Sequence, residues 1–352
     1  MNMQRVRRII AENTMSETVI PVLALTSALY TGVLVTRLIR KRLMSFNGKV
    51  VLITGGSRGL GLALAREFAA EGARLVLVAR DHAELDRAAA DLRKRGAEVL
   101  TIDGDLRQAG CAEAVINTTM GKFGRLDVLI NNAGIITVGP LENMTLDDFE
   151  NNLDTHVRAP LRMMMAAVPH LKHSRGRIVN ISSIGGKIAV PHLAPYTASK
   201  FGLTGLSDAF RTELRKDGVK VTSVFPGLMR TGSHGQALFK GRQSEEFGWF
   251  ALGSGTPVTS ISAARAARQI VRACRAGKPQ LIITLQARLA AVANALLPNL
   301  SARVFAVADR VLPSAVPDSG EALPGRQCRG SFPPRALTIL SDRAGKRYNE
   351  SN

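Results

Sequence analysis

From Lys49 onward, short apolar runs alternate with stretches whose apolar residues recur every three or four positions. The runs at 49–53, 75–79, 99–102, 128–130, 178–181 and 219–224 predict six strands. Between them, residues 60–70, a stretch ending near Arg95, 109–123, 146–171 and 195–216 predict helices. Apolar strands separated by helices predict a sheet buried on both faces. The expected fold class is therefore α/β: a Rossmann-like, doubly wound parallel sheet with helices on both faces. A helix over 262–276 and a short strand over 280–284 would close this unit.

The pattern changes at both ends. Residues 19–36 form an uncharged run of 18. As a helix it would span about 27 Å, close to the ~30 Å hydrocarbon core of a bilayer. Arg5, Arg7 and Arg8 precede it, and Arg37, Arg40, Lys41 and Arg42 follow it directly. The denser downstream cluster predicts that the chain beyond the run stays in the cytoplasm. Residues 1–47 are thus read as a hydrophobic membrane anchor with basic flanks. Pro21, Thr26, Ser27 and Thr31 dilute the run, so a soluble or surface-lying helix and a cleaved signal peptide stand as alternatives. Residues 48–285 would be the catalytic domain. Within it, 228–258 break the alternation and read as a flexible cover over a pocket, or as plain surface loop. Residues 286–312 read as two amphipathic helices broken at Pro298, with Arg288, Arg303 and Arg310 among apolar residues. Such helices suit a membrane surface, or packing against the domain or a partner. Residues 313–352, rich in Pro, Gly, Ser and charge, are expected to be disordered.

Composition narrows the partners. The formal charge is +19, of which residues 1–50 carry +6 and residues 301–352 carry +3. The excess is spread along the chain, which argues for anionic lipid or a phosphorylated cofactor and against a nucleic-acid-binding arm. Cys111, Cys274 and Cys328 are widely spaced and odd in number. They predict neither a disulfide framework nor a metal site, and they fit a reducing compartment.

Two clusters carry chemistry. In the first, Tyr196 and Lys200 stand four apart in a predicted helix and so share a face. An ammonium beside a phenol favours its ionised form. Ser183, upstream, can donate to a carbonyl oxygen, and the trio has the parts of a proton-donating site for ketone reduction. In the second, Thr54-Gly55-Gly56-Ser57-Arg58-Gly59-Leu60-Gly61 follows a strand and opens a helix. Its small residues let backbone approach a pyrophosphate at a helix N-terminus. At the end of the second strand Ala79 leaves the acidic position empty and Arg80 follows. Arg80 and Arg58 favour the 2′-phosphate of NADP over NAD. Asp81 is the contrary sign, unless it caps the next helix. Asp105 and Leu106 are candidates for the adenine edge.

Together with Asn131-Asn132-Ala133-Gly134 and Pro226-Gly227, these motifs resemble the short-chain dehydrogenase/reductase family, single-domain type, over about residues 48–285. The resemblance implies that Tyr196 is the acid in reduction and the base in oxidation. It also implies that Lys200 lowers the tyrosine's pKa and binds the nicotinamide ribose, and that Ser183 orients the carbonyl. Asn132 and Gly134, with Pro226, Gly227 and Thr231, would contact the cofactor. One position departs from the pattern. The family's long helix usually carries an asparagine where this chain has His156, and His156 is expected to take over its part in the proton relay. Asn152, one turn earlier, is a second candidate. The expected activity is NADP-dependent interconversion of carbonyl and alcohol on a small lipophilic substrate of retinoid, steroid or long-chain lipid type. A 3-oxoacyl reductase and a non-catalytic nucleotide-binding scaffold are the alternatives. A homo-oligomer is implied by resemblance alone.

Overall fold

The computed structural model describes residues 43–256, 259–317, 320–328, 330 and 335–350. The run at 19–36 lies outside them. Among the described residues, no helix is long and apolar enough to cross a membrane.

Strands β1 (Val50–Thr54), β2 (Arg74–Ala79), β3 (Val99–Asp103), β4 (Val128–Asn131), β5 (Arg177–Ile181), β6 (Lys220–Phe225) and β7 (Gln280–Ile282) form one sheet. Its spatial order is β7-β6-β5-β4-β1-β2-β3, and every pair is parallel. The order reverses between β1 and β4, and ligands of such sheets lie beyond the carboxyl ends of the strands at that point. Every residue of β1, β4 and β5 is buried, including Asn131 and Asn180, which hydrogen-bond each other at 2.8 Å.

Helices α1 (Gly59–Ala69), α2 (His82–Lys94), α3 (Cys111–Phe123), α4 (Leu146–Leu153), α5 (Ala159–Ser174) and α6 (Ala194–Leu214) connect the strands. The predicted long helix over 146–171 is in fact α4 and α5 joined by a π-helical turn, Asp154–Arg158. A π turn inserts one residue into the helical repeat and commonly marks a functional site. Here it carries His156.

The region after β6 is more structured than its sequence suggested. Residues 228–258 contain helix α7 (Gln243–Gly255) and the short strands Leu228–Arg230 and Leu238–Phe239. Phe239, Phe247, Val138, Ala237, Ala251 and Cys328 form a small second core beneath this cover. Helix α8 (Ala263–Ala276) then packs on the sheet, with Ala266, Ile270 and Cys274 buried. Next come α9 (Leu285–Leu296) and α10 (Pro298–Asp309), broken at Pro298 as expected. Leu285, Leu289, Val292 and Leu296 are all exposed on α9, and Leu300, Val304, Val307 and Val311 are exposed on and just beyond α10. Both sets follow the same +4, +3, +4 spacing, so each helix presents an uncovered apolar stripe.

Where disorder is expected across 313–352, the described residues within that range carry regular structure. Leu323–Pro324 pairs antiparallel with Leu238–Phe239, and helix α11 (Arg335–Arg347) leads into a packed terminal segment. Thr338, Ser341 and Tyr348 are buried there. Composition pointed to disorder because the few apolar residues are scattered; Cys328 and Leu323 nonetheless pack on the small second core, and polar contacts hold the described residues that end at Glu350.

Candidate active site

A cleft of about 710 Å³ runs along the carboxyl ends of the strands. At one end lies the turn between β1 and α1. Gly59 has φ +56, a left-handed backbone that glycine adopts without strain. A Cβ at Gly61 would collide with the Gly55 carbonyl oxygen, so this glycine permits the tight turn rather than lining the cleft. Thr54 ties the turn to the next motif: its hydroxyl accepts from the backbone N–H groups of Asn132 (2.9 Å) and Ala133 (3.1 Å). The Asn132 amide donates back to the carbonyls of Thr54 and Gly55, both at 3.0 Å. Ser57, Arg58, Leu60, Arg80, Asp105, Leu106, Asn132 and Gly134 line this cleft, as do Pro226 and Thr231 further along. A Cβ on Gly227 would face Thr284 and Ala287 instead.

At the other end, Tyr196 and Lys200 project from α6 into the cleft. Lys200 is 4% exposed, and its ammonium donates to the Ile181 carbonyl at 3.0 Å. Burial pulls its pKa down to about 7. The same burial pushes the Tyr196 phenol above its ordinary value, and a hydrogen bond with Ser183 pulls it part of the way back. The Lys200 nitrogen lies 5.5 Å from the centre of the tyrosine ring, within cation–π range. The two residues share one helical face, and burial raises the phenol's pKa more than the Ser183 bond lowers it. Ser183 follows β5, and its hydroxyl accepts from the Gly185 N–H at 3.1 Å. Ser182 turns the other way, bonding the Lys200 carbonyl and Thr204 at 3.1 Å each.

With that geometry in view, likeness to known proteins is informative. Residues 49–239 match the short chain dehydrogenase family. This chain belongs to that family. It is 35% identical over 256 residues to the 11-beta-hydroxysteroid dehydrogenase-like 4A of Arabidopsis thaliana, covering 72% of this chain and 82% of that one. It is 38% identical over 186 residues to a putative ketoacyl reductase of granaticin polyketide synthesis in Streptomyces violaceoruber, covering 52% and 68%. Among solved structures it resembles L-sorbose reductase from Gluconobacter frateurii, crystallised with NADPH and L-sorbose. The TM-score is 0.61 and identity 28%, over 68% of this chain and 97% of that one. The protein is accordingly an oxidoreductase enzyme with a nicotinamide dinucleotide site.

The family's asparagine position holds a fully buried His156. Its Nε2 accepts from the Ile135 N–H at 3.2 Å, which leaves the proton on Nδ1. Nδ1 then donates to the Ser199 hydroxyl at 2.8 Å, and Ser199 donates to the Tyr196 carbonyl at 2.8 Å. Burial first, and the Lys200 charge second, drive the histidine's pKa well below its ordinary value. Both ring nitrogens are engaged, and His156 meets Tyr196 edge-on with ring centres 5.5 Å apart. Asn152 is directed elsewhere: its amide donates to Thr137 at 3.0 Å and to the Asp148 carbonyl at 2.8 Å.

Three participants escape a reading of the sequence. Ser199 links His156 to the tyrosine's backbone. Glu84 accepts from Arg58 at 2.7 Å and from Ser57 at 3.0 Å. Asp81 caps α2 by accepting from the Glu84 N–H at 2.9 Å, which accounts for the contrary carboxylate beside Arg80. Asp81 and Glu84 have the spacing of an ordinary helix cap, and this masks the second role of Glu84. Asp105 is held by Arg107 through side-chain bonds, the shortest 2.6 Å, and the arginine lowers its pKa. The third participant, the C-terminal segment, enters the cleft beside Arg58.

Proposed function

We propose that this short-chain dehydrogenase interconverts a carbonyl and an alcohol on a lipophilic substrate, with NADP(H) as cofactor and Tyr196 as general acid and base. Tyr196 and Lys200 in the cleft, with Ser183 hydrogen-bonded to the Tyr196 phenol, carry this reading. Tyr196 would pass its phenolic proton to the substrate oxygen in reduction and take it back in oxidation. Ser183 would donate to the same oxygen as it gains charge, the interaction that lowers such a barrier most. Lys200, when protonated, would stabilise the phenolate left behind. The bound dinucleotide supplies hydride chemistry; Gly59, Asn132, Gly134, Pro226 and Thr231 would hold it. Among the described residues Arg80 makes no salt bridge, although its charge is felt at Asp105, while Arg58 is paired with Glu84, so Arg80 is the better candidate for a 2′-phosphate. The NADPH in the L-sorbose reductase structure supports the same choice.

Ile135, Ile136, Ala159 and Met229 are among the residues lining the cleft and favour an apolar substrate. Relatives named for a hydroxysteroid support a steroid or similar lipid. A 3-oxoacyl reductase remains a second reading because relatives named as ketoacyl reductases are as similar over the core. Membrane attachment through residues 19–36, with the catalytic domain in the cytoplasm, is part of the proposal, and so is a homo-oligomer. The uncovered stripes of α9 and α10, with Arg288 and Arg303 in the same helices, support contact with an anionic bilayer. NADPH oxidation against a panel of lipophilic ketones, aldehydes and 3-oxoacyl esters, with NADH in parallel, tests the activity. Preference for NADH would overturn the cofactor choice, and turnover of the 3-oxoacyl esters alone would select the second reading.

A further inference from the structure

The last described residues of the chain lie where an anionic group would sit on α1. The Gly59 N–H, in the first turn of that helix, donates to the Tyr348 carbonyl at 2.8 Å. A dinucleotide pyrophosphate would claim the same helix N-terminus. The Asn349 amide donates to the carbonyls of Ser57 (3.0 Å) and Glu84 (3.1 Å), and Arg87 donates to the Asn349 side-chain oxygen at 2.8 Å. Asn349 has φ +59, a left-handed turn that asparagine tolerates better than most residues. Beyond it the Glu350 side chain is 6% exposed, with one carboxylate oxygen 3.4 Å from the Arg58 Nε. The other oxygen lies so close to Gly59 that a Cβ there would strike it. The Glu350 carbonyl accepts from Gln236 at 3.1 Å, and Arg66 stacks over the Tyr348 ring at 5.2 Å.

This is a built contact and not a strand of chain lying on a surface. It joins four backbone carbonyls, one backbone N–H, three arginines and the buried Glu350 carboxylate, which lines the cleft itself. Among the described residues, Glu350 Oε2 makes the 3.4 Å ion pair with Arg58 but no hydrogen bond. Burial raises the pKa of this carboxylate to about 7, with Arg58 opposing and Glu84 adding to the rise. The carboxylate is therefore poorly accommodated where it sits, as expected of a segment that must leave.

We propose that Tyr348–Glu350 form a C-terminal latch that occupies the pyrophosphate cradle, so that a dinucleotide binds only when the latch is displaced. The proposal rests on the reading of this cleft as a nicotinamide dinucleotide site. A latch closed nine-tenths of the time weakens the apparent affinity of its competitor about tenfold.

NADPH titrations of the full chain and of a chain ending at Arg347, followed by nucleotide fluorescence, test the latch. Binding about tenfold tighter in the shortened chain, and several-fold tighter in Glu350→Ala, is the expected result. Equal affinity in all three would overturn the latch while leaving the dinucleotide site intact. Weaker binding in the shortened chain would also overturn it, by making the segment part of the cofactor's own site. Failure of every protein to bind NADPH or NADH would sink the dinucleotide reading and the latch with it. Hydrogen exchange of the full chain guards against misfolding of the variants. Saturating NADPH should strip protection from residues 343–350, and undiminished protection there would refute displacement.

Discussion

The two ends of the cleft are filled in different ways. At the catalytic end, buried polar groups answer one another. His156 bonds Ile135 and Ser199, Ser199 bonds Tyr196, and Lys200 bonds Ile181. The partners come from α6, the π turn and the ends of β4 and β5, all part of the central fold. At the nucleotide end, the glycine turn is completed by residues almost three hundred positions away, through Tyr348, Asn349 and Glu350. A self-contained network is suited to holding a reacting group still. A cradle filled by a segment outside the central sheet is suited to exchange, because that segment can leave without disturbing the sheet. The contrast makes a division of labour testable: substitutions at the first end should change chemistry, and substitutions at the second should change occupancy.

The largest effect belongs to Tyr196→Phe. Removing a positioned acid lowers the rate by about 10²–10⁴. NADPH oxidation with saturating ketone should fall by that factor while the NADPH dissociation constant stays within about twofold, well under 1 kcal/mol. Retention of more than a tenth of the rate would show that another group supplies the proton, and the catalytic end would lose its centre.

Next in size is Arg80→Ala. A charged contact to a phosphate contributes about 1.5–3 kcal/mol, or roughly tenfold to a hundredfold in affinity. NADPH should weaken by that amount with NADH unchanged, in parallel titrations. Equal loss for both nucleotides would mean that Arg80 shapes the cleft rather than choosing the cofactor. Glu84→Gln should do the reverse on a smaller scale. Releasing Arg58 from the 2.7 Å pair is expected to tighten NADPH about threefold, the scale of a partly exposed ion pair of roughly 0.7 kcal/mol. A weaker NADPH complex in this variant would show that Glu84 holds Arg58 in its useful position.

The same contrast governs what could be read before folding. Strands such as Val50–Thr54 and the spacing of Tyr196 and Lys200 are local patterns, and local patterns are legible. The glycines at 55, 59 and 61 were legible for the same reason, since a tight turn constrains neighbours in sequence. Three features were hidden by distance or by ambiguity. The π turn inserts a residue into a helix whose apolar periodicity looks continuous from 146 to 171. Glu84 sits in an ordinary capping pattern and gives no sign of reaching Ser57. The terminal segment has polar, low-hydropathy sequence, and nothing in Tyr348-Asn349-Glu350 announces a partner at Gly59. Orientation at His156 was hidden too: the position was conspicuous, but only the surrounding donors and acceptors say which nitrogen carries the proton.

The smallest expected effect is the most diagnostic at the catalytic end. Lys200 has a pKa near 7 in the free protein, so it is charged below that pH and neutral above it. On the proposed mechanism its charge would assist proton loss from Tyr196, so the rate of ketone reduction should fall as pH rises through about 7. His156 is driven well below its ordinary value and stays neutral across this window. It therefore acts by position, holding Ser199 and the backbone of Tyr196. His156→Asn should leave the midpoint of the alkaline limb in place, with any loss appearing as a uniform drop in rate and a modest loss of stability. A limb that shifts or vanishes in His156→Asn would assign the titration to the histidine and return it to the proton relay. A limb that persists in His156→Asn but disappears in Lys200→Met would assign it to the lysine, and would leave His156 as the group that fixes where the tyrosine stands.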